Sequence, residues 1–174
     1  MSDTLKRSMP PAGSGDAVLL ILGSLPGEAS LAAQRYYAHP QNQFWRLLGD
    51  ALGEPFAALD YGARLDRLAS RDVAVWDVVG EAMRRGSLDS ALREVHANPL
   101  VNYIESHPRL RAVAFNGQTA SRLGRRALGD EAGLFLLDLP SSSPAYTIAY
   151  ADKAARWAQL GKLALAAKSA TLVR

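Results

Sequence analysis

Four short apolar, β-prone runs, Ala17–Leu22, Val73–Val79, Ala112–Phe115 and Leu134–Leu139, are separated by stretches with helical spacing. Near-continuous apolar runs of this length suit strands buried on both faces. Helices between successive strands supply the crossovers that parallel pairing requires. The pattern predicts an α/β fold, three-layer αβα with a central, mostly parallel four-stranded sheet. Apolar residues at 44, 45, 47, 48, 51 and 52 predict one helix. Others are expected over 61–70, 87–95, 100–106 behind Pro99, 118–128 behind Asn116-Gly117, and about 152–168. The last would bury Trp157, Leu160, Leu163 and Ala167. A chain of 174 residues with 48% hydrophobic content fits one domain, read as 16–174. Residues 1–15 carry Pro10-Pro11 and Gly13-Ser14-Gly15 and no apolar core of a secretory signal, so they read as a flexible lead-in.

The absence of cysteine excludes disulfides, thiolate zinc sites, iron–sulfur clusters and a cysteine nucleophile. It is compatible with a reducing cytoplasm. The net charge of +3 permits a nucleic-acid partner without demanding one. No stretch approaches the length of a membrane span.

Two loops stand out. The first follows the first strand as Gly23-Ser24-Leu25-Pro26-Gly27 and continues to Tyr36-Tyr37-Ala38-His39-Pro40-Gln41-Asn42-Gln43-Phe44-Trp45. Loops at the carboxyl ends of strands are where open α/β sheets bind ligands. The glycines can bring backbone N–H groups close to a carbonyl or anion, or simply make a tight strand exit. Tyr37 can stack on a nucleobase or roof the core, and Tyr36 reads as core. His39 can act as an acid or base or hold the shape of its own loop. Asn42 can hold a water with its amide oxygen or cap the following helix. Glu28 and Asp77 are further candidates to orient a water, and Asp77 could equally cap the next segment. Asn116 closes the third strand and reads as support for a neighbouring loop. His96 and His107 lack partners at ligand spacing. The second loop, Pro140-Ser141-Ser142-Ser143-Pro144-Ala145-Tyr146, leaves the fourth strand on the same sheet edge. Its hydroxyls and N–H groups can grip a phosphate, and the apolar residue after them can wedge into a base stack. Without a ligand it is a Ser/Pro turn.

Together these motifs resemble the uracil-DNA glycosylase superfamily, over roughly Ala17 to Gly161. The 23–27 turn resembles its first motif, and Pro140–Pro144 its second, a minor-groove loop. Ala38–Trp45 looks like the mismatch-specific uracil/thymine glycosylases. Those enzymes carry an Asn within the first turn, where this chain has Leu25. With Trp76-Asp77-Val78-Val79 and Gly86-Ser87-Leu88-Asp89-Ser90, the chain looks most like the hypoxanthine-DNA (deoxyinosine) glycosylase branch. The resemblance implies that Asn42 is catalytic and that Tyr37 stacks on the flipped base. Gly23, Ser24, Leu25, Gly27, His39 and Asn116 would complete the base site. Pro140, Ser141, Ser142, Ser143, Pro144, Ala145 and Tyr146 would contact DNA. It implies a monofunctional repair enzyme, monomeric and cytoplasmic, nucleoid-associated if bacterial. The partner would be DNA containing deaminated or mismatched bases, with no metal or cofactor. Two rival classes remain open: a nucleotide or phosphoester enzyme, and a DNA-binding module without catalysis.

Overall fold

The structure is a computed structural model that describes residues 2–129 and 133–172. Its strands are β1 (Thr4–Arg7), β2 (Ala12–Gly13), β3 (Leu19–Gly23), β4 (Val73–Asp77), β5 (Val79–Arg84), β6 (Arg93–Ala97), β7 (Ala112–Asn116) and β8 (Phe135–Leu139). Its helices are α1 (Glu28–Ala33), α2 (Phe44–Leu52), α3 (Tyr61–Ser70), α4 (Leu100–Ser106), α5 (Gln118–Leu128) and α6 (Tyr150–Leu172). The central sheet has the order β2-β4-β3-β7-β8. Strands β4, β3, β7 and β8 run parallel, as the four apolar runs predict. A fifth strand, the two-residue β2, pairs antiparallel on the edge beside β4. All five residues of β3 are buried, which requires cover on both faces. That cover is the helices, in three layers.

Chain direction in the sheet decides where a ligand can sit. From β3 the connection leads to β4 on one side, and the chain then crosses to β7 on the other. The order reverses at β3, so the crevice opens between the carboxyl ends of β3 and β7. Gly23 and Asn116 are the last residues of those two strands.

Helix α2 buries Phe44, Trp45, Leu47 and Leu48. It meets α6 through the edge-to-face pair Phe44–Trp157, with centroids 5.7 Å apart, and through the Tyr150 hydroxyl donating to Asp50 at 2.6 Å. Helix α3 begins at Asp60, whose carboxylate accepts from the Ala63 N–H at 2.9 Å, a standard N-cap.

Three expectations from sequence are corrected. Residues 1–15 are not a flexible lead-in over their described part, 2–15. Strand β1 pairs with β5 from Thr4↔Arg84 to Arg7↔Glu81, and Met9 is buried. The Met9 carbonyl accepts from both the Tyr36 hydroxyl, at 3.1 Å, and the Trp76 indole, at 3.0 Å. The predicted strand Val73–Val79 is two strands. At the break, the N–H groups of Val78 and Val79 donate to the carbonyls of Gly23 and Ser24, at 2.8 and 2.9 Å. The chain thereby leaves the central sheet and builds a second, antiparallel one, β1-β5-β6. Finally, the predicted helix over 87–95 is a short 3-10 turn at Asp89–Ala91 followed by β6, which contains His96. His107 lies just past α4, its ring stacked on Tyr103 at 3.8 Å.

Candidate active site

A cleft of about 470 Å³ opens at the carboxyl edge of the central sheet. It gathers nearly every residue singled out from the sequence. Gly23, Ser24, Leu25 and Gly27 line it, with Tyr37, His39, Asn42, Asn116 and Ser141 to Tyr146. Asp77 also lines it, but Glu28 does not; its exposed carboxylate pairs with Lys6 at 3.3 Å. Pro140 is the other exception. It is buried behind the second loop, and its carbonyl accepts from the Trp157 indole at 2.9 Å.

The first loop is held from behind. Arg84, on β5, is fully buried. Its guanidinium donates to the carbonyls of Gly86 at 2.9 Å, Leu25 at 3.2 Å and Pro26. In a trans peptide the C=O and the following N–H point in opposite directions. Turning the Pro26 carbonyl onto Arg84 therefore turns the Gly27 N–H away from it. The N–H groups of Leu25 and Gly27 have no protein partner among the described residues. The Leu25 side chain packs with Val79 and Ala82, so its contribution to the cleft is main chain. The Ser24 hydroxyl donates to Asp89 at 2.7 Å. Burial raises the Asp89 pKa, opposed by Ser24 and Arg84.

Tyr37 has a left-handed backbone, φ 54°, a conformation that costs a bulky residue and often marks functional sites. One ring face lies on Phe44, with centroids 3.7 Å apart and planes 9° from parallel. Its hydroxyl is buried without a hydrogen-bond partner. Burial, then the Asp77 charge, raises its pKa. A methyl on Gly23 would sit 2.8 Å from Asp77 Oδ1 and 3.0 Å from Tyr37 Oη, so only glycine fits beneath them.

Asn42 stands one residue before the N-cap of α2, which is Gln43, and its Oδ1 accepts from the Phe44 N–H at 2.9 Å in a local Asx turn. That bond also fixes the plane of the amide within the cleft and leaves the second lone pair of Oδ1 available. His39 Nδ1 accepts from the Gln41 N–H at 3.1 Å, which shapes the loop and places the neutral ring's proton on Nε2.

The second loop is tied to the first strand pair by Asn116. Its amide donates to Ser142 Oγ and accepts from the Ser142 N–H, both at 2.9 Å. The Ser142 carbonyl accepts from the Gln43 N–H at 3.0 Å. Ser142 is buried with its polar groups engaged inside the protein, so it is not free to grip a phosphate. Asn116 likewise positions this loop, and a direct bond to a base would have to use its remaining N–H or the second lone pair of its Oδ1. Gly117, at φ +100°, allows the approach, with Ser141 Cβ only 3.1 Å from where its own Cβ would lie. Ser141 and Ser143 stay half-buried, and Pro144, Ala145 and Tyr146 are exposed. Lys153, which the sequence offered no reason to notice, is buried beneath and donates to the Ser143 carbonyl at 3.3 Å. Burial lowers its pKa.

Asp77 is the most perturbed carboxyl of the cleft. Burial pushes its pKa up to about 7, against the opposing hydrogen bonds of Ser8 and Tyr36. Ser8 Oγ donates to it at 2.8 Å. A carboxyl whose pKa rises on folding holds its proton more tightly when folded. Its contribution to stability is greatest below about pH 4, falls as pH rises from about 4 to about 7, and is flat above. Asp77→Asn is expected to remove that slope. Thermal unfolding midpoints of both proteins across this range check it, and an unchanged slope would assign the titration to another group.

Among the described residues no group of three or more His, Asp or Glu side chains is arranged to hold a metal ion, and no helix is long and apolar enough to cross a membrane.

Sequence comparison agrees with the geometry. The family profile described as the uracil DNA glycosylase superfamily matches residues 10–163. A hypoxanthine DNA glycosylase from Methanosarcina barkeri is 34% identical over 159 residues, covering 90% of this chain and 98% of the relative. A hypoxanthine DNA glycosylase from Methanosarcina acetivorans is 37% identical over 143 residues, covering 81% and 88%. The solution NMR structure of a candidate uracil DNA glycosylase from Methanosarcina acetivorans superposes with a TM-score of 0.81 at 33% identity, covering 92% of this chain and 99% of that one. A switch-point cleft walled by a Gly-Pro turn, an Asn-bearing aromatic loop and a Ser-Pro loop thus accompanies a match across almost the whole chain, and the protein belongs to the uracil DNA glycosylase superfamily.

Proposed function

We propose that the protein is a monofunctional DNA repair glycosylase that excises a deaminated base, hypoxanthine first among them, and leaves an abasic site. The reading is carried by one convergence: an orientation-fixed amide, an aromatic ring backed by another ring, and unpaired loop N–H groups all line one cleft. The choice of hypoxanthine rests on the names of the two curated relatives. The partner is DNA, and the protein acts as a soluble monomer in the cytoplasm.

A base inside a duplex cannot reach such a cleft, so it is flipped out, at least cost where it pairs poorly. Phe44 already covers one face of the Tyr37 ring, so the other face receives the base. The N–H groups of Leu25 and Gly27 meet its polar edge. The bond between C1′ and the base nitrogen breaks with its electron pair going to the base. These preorganised donors stabilise the charge developing there. The sugar becomes oxocarbenium-like, and a water held by Asn42 Oδ1 adds at C1′ and releases its proton to solvent. An amide is a weak base, which suffices when bond breaking runs ahead of water attack. Among the described residues no lysine lines the cleft, and the Lys153 amine beneath it is engaged with the Ser143 carbonyl, so no lysine is placed to attack the sugar and the DNA strand stays intact.

Tyr37→Ala is expected to slow excision by roughly 5- to 150-fold, the loss of one base-stacking contact of about 1–3 kcal/mol. Tyr37→Phe should retain the rate, because the hydroxyl it removes is buried without a hydrogen-bond partner. Single-turnover excision separates the two, and equal losses would move the role from the ring to the hydroxyl. The function itself is tested on labelled oligonucleotides carrying deoxyinosine, deoxyuridine or xanthosine, followed by alkali. Cleavage at uracil alone would keep the reaction and change the substrate. Tight DNA binding without cleavage of any base would support the non-catalytic reading.

A further inference from the structure

We propose that Leu88 is a second DNA-facing wedge of the cleft, an apolar side chain that packs into the base stack beside the displaced nucleotide. The inference rests on the glycosylase reading above and adds a contact surface to it.

Residues 87 to 90 line the cleft together with the two motif loops. Leu88 is 57% exposed there. Exposed leucines occur singly on ordinary surfaces, so exposure alone argues nothing. Position and rigidity do. Leu5, Val95, Phe135 and Leu165 are also exposed, but none of them lines the cleft. The loop around Leu88 is pinned on both sides. Arg84 donates to the Gly86 carbonyl at 2.9 Å, the Glu28 N–H donates to Ser87 Oγ at 2.9 Å, and Ser24 Oγ donates to Asp89 at 2.7 Å. The Leu88 carbonyl itself accepts from the Ala91 N–H at 3.1 Å. Leu88 therefore cannot fold back onto the core without breaking bonds that also hold the 23–27 loop. A loop backbone fixed in place before binding loses little entropy on contact.

The second loop leaves room for such a wedge. A flipped nucleotide vacates one step of the stack, and minor-groove proteins fill such gaps with apolar side chains such as leucine. Ala145 offers a single methyl. Tyr146 is larger, but its ring lies 5.5 Å from the Lys153 ammonium and its N–H is bonded to the Ser143 carbonyl at 3.1 Å. Leu88 supplies apolar volume on a different wall of the same cleft.

The test uses a duplex holding a tetrahydrofuran abasic analogue with 2-aminopurine beside it, whose fluorescence rises when its stacking is disturbed. Wild-type protein should raise the signal, Leu88→Ala should lose most of the rise, and Leu88→Met should keep it. In parallel, Leu88→Ala should excise deoxyinosine from duplex about tenfold or more slowly, as expected for a leucine left unburied. On single-stranded DNA it should stay within about twofold of wild type. An unchanged fluorescence rise, or an equal loss on single and double strands, would overturn the wedge. The fluorescence arm needs no chemistry. Absent excision with an intact signal would sink the glycosylase reading alone, and normal excision with an unchanged signal would sink the wedge alone.

Discussion

Asn42→Ala is expected to lower single-turnover base excision by about 10²- to 10³-fold, the range seen when one preorganised polar contact to a reacting group is removed, while DNA affinity stays near wild type. The amide lines the cleft and its Oδ1 is aimed by the Phe44 N–H at 2.9 Å, so deleting it removes the group that holds the attacking water. The same substitution deletes the side-chain bond that orders the entry to α2, with a stability cost of roughly 0.5–1.5 kcal/mol. That cost must be separated from the catalytic one. Asn42→Ser provides the control, because a serine hydroxyl also accepts from the first turn of α2. It should recover most of the lost stability in thermal unfolding and little of the lost rate. Recovery of both would show that Asn42 acts only by starting the helix. Asp77 would then become the leading candidate for the water, since Glu28 lies outside the cleft.

Arg84→Met should destabilise the fold by about 3–5 kcal/mol, because each buried carbonyl left without a donor costs roughly 1–3 kcal/mol. Arg84 is fully buried and serves three carbonyls that come from two different loops. Removing it strands those carbonyls and deprives Asp89 of its nearby cation. Arg84→Lys should recover only part of the loss, because a single ammonium cannot reproduce the planar fork that reaches all three. Chemical denaturation measures both. An unfolding free energy of the Met variant within about 0.5 kcal/mol of wild type would mean that water or a neighbour replaces the guanidinium.

The alternation of apolar runs and helical spacing was enough to place the four parallel strands, because those strands are buried on both faces and leave a continuous signal. The second sheet left no comparable signal. Strand β1 is Thr-Leu-Lys-Arg and mostly exposed, and β6 is exposed throughout, so neither shows an apolar period. What holds β1 is pairing with β5, a long-range hydrogen-bond pattern that local composition does not encode. The break after Asp77 was hidden because Val73–Val79 is apolar on both sides of its one polar residue, Asp77, so the run reads as a single strand. At the site, the cleft-lining loops could be found from their Gly, Pro, Asn and Ser content. Which hydroxyl faces outward could not. Ser141, Ser142 and Ser143 look equivalent as a string, yet Asn116 takes the middle one entirely. Arg84, Ser8 and Lys153 act from a strand, a connecting segment and a helix some distance along the chain, and nothing in their local sequence marks them. Asp89 lay within a motif that carried the resemblance, but its partner Ser24 is 65 residues away.

The central claim is tested most directly by single-turnover incubation of a duplex containing one deoxyinosine, with free base measured by chromatography and strand breaks measured before and after alkali. The account predicts release of hypoxanthine, breaks only after alkali, and loss of both with Asn42→Ala. Tight binding to the duplex with no base released from it, or strand breaks already present before alkali, would contradict it.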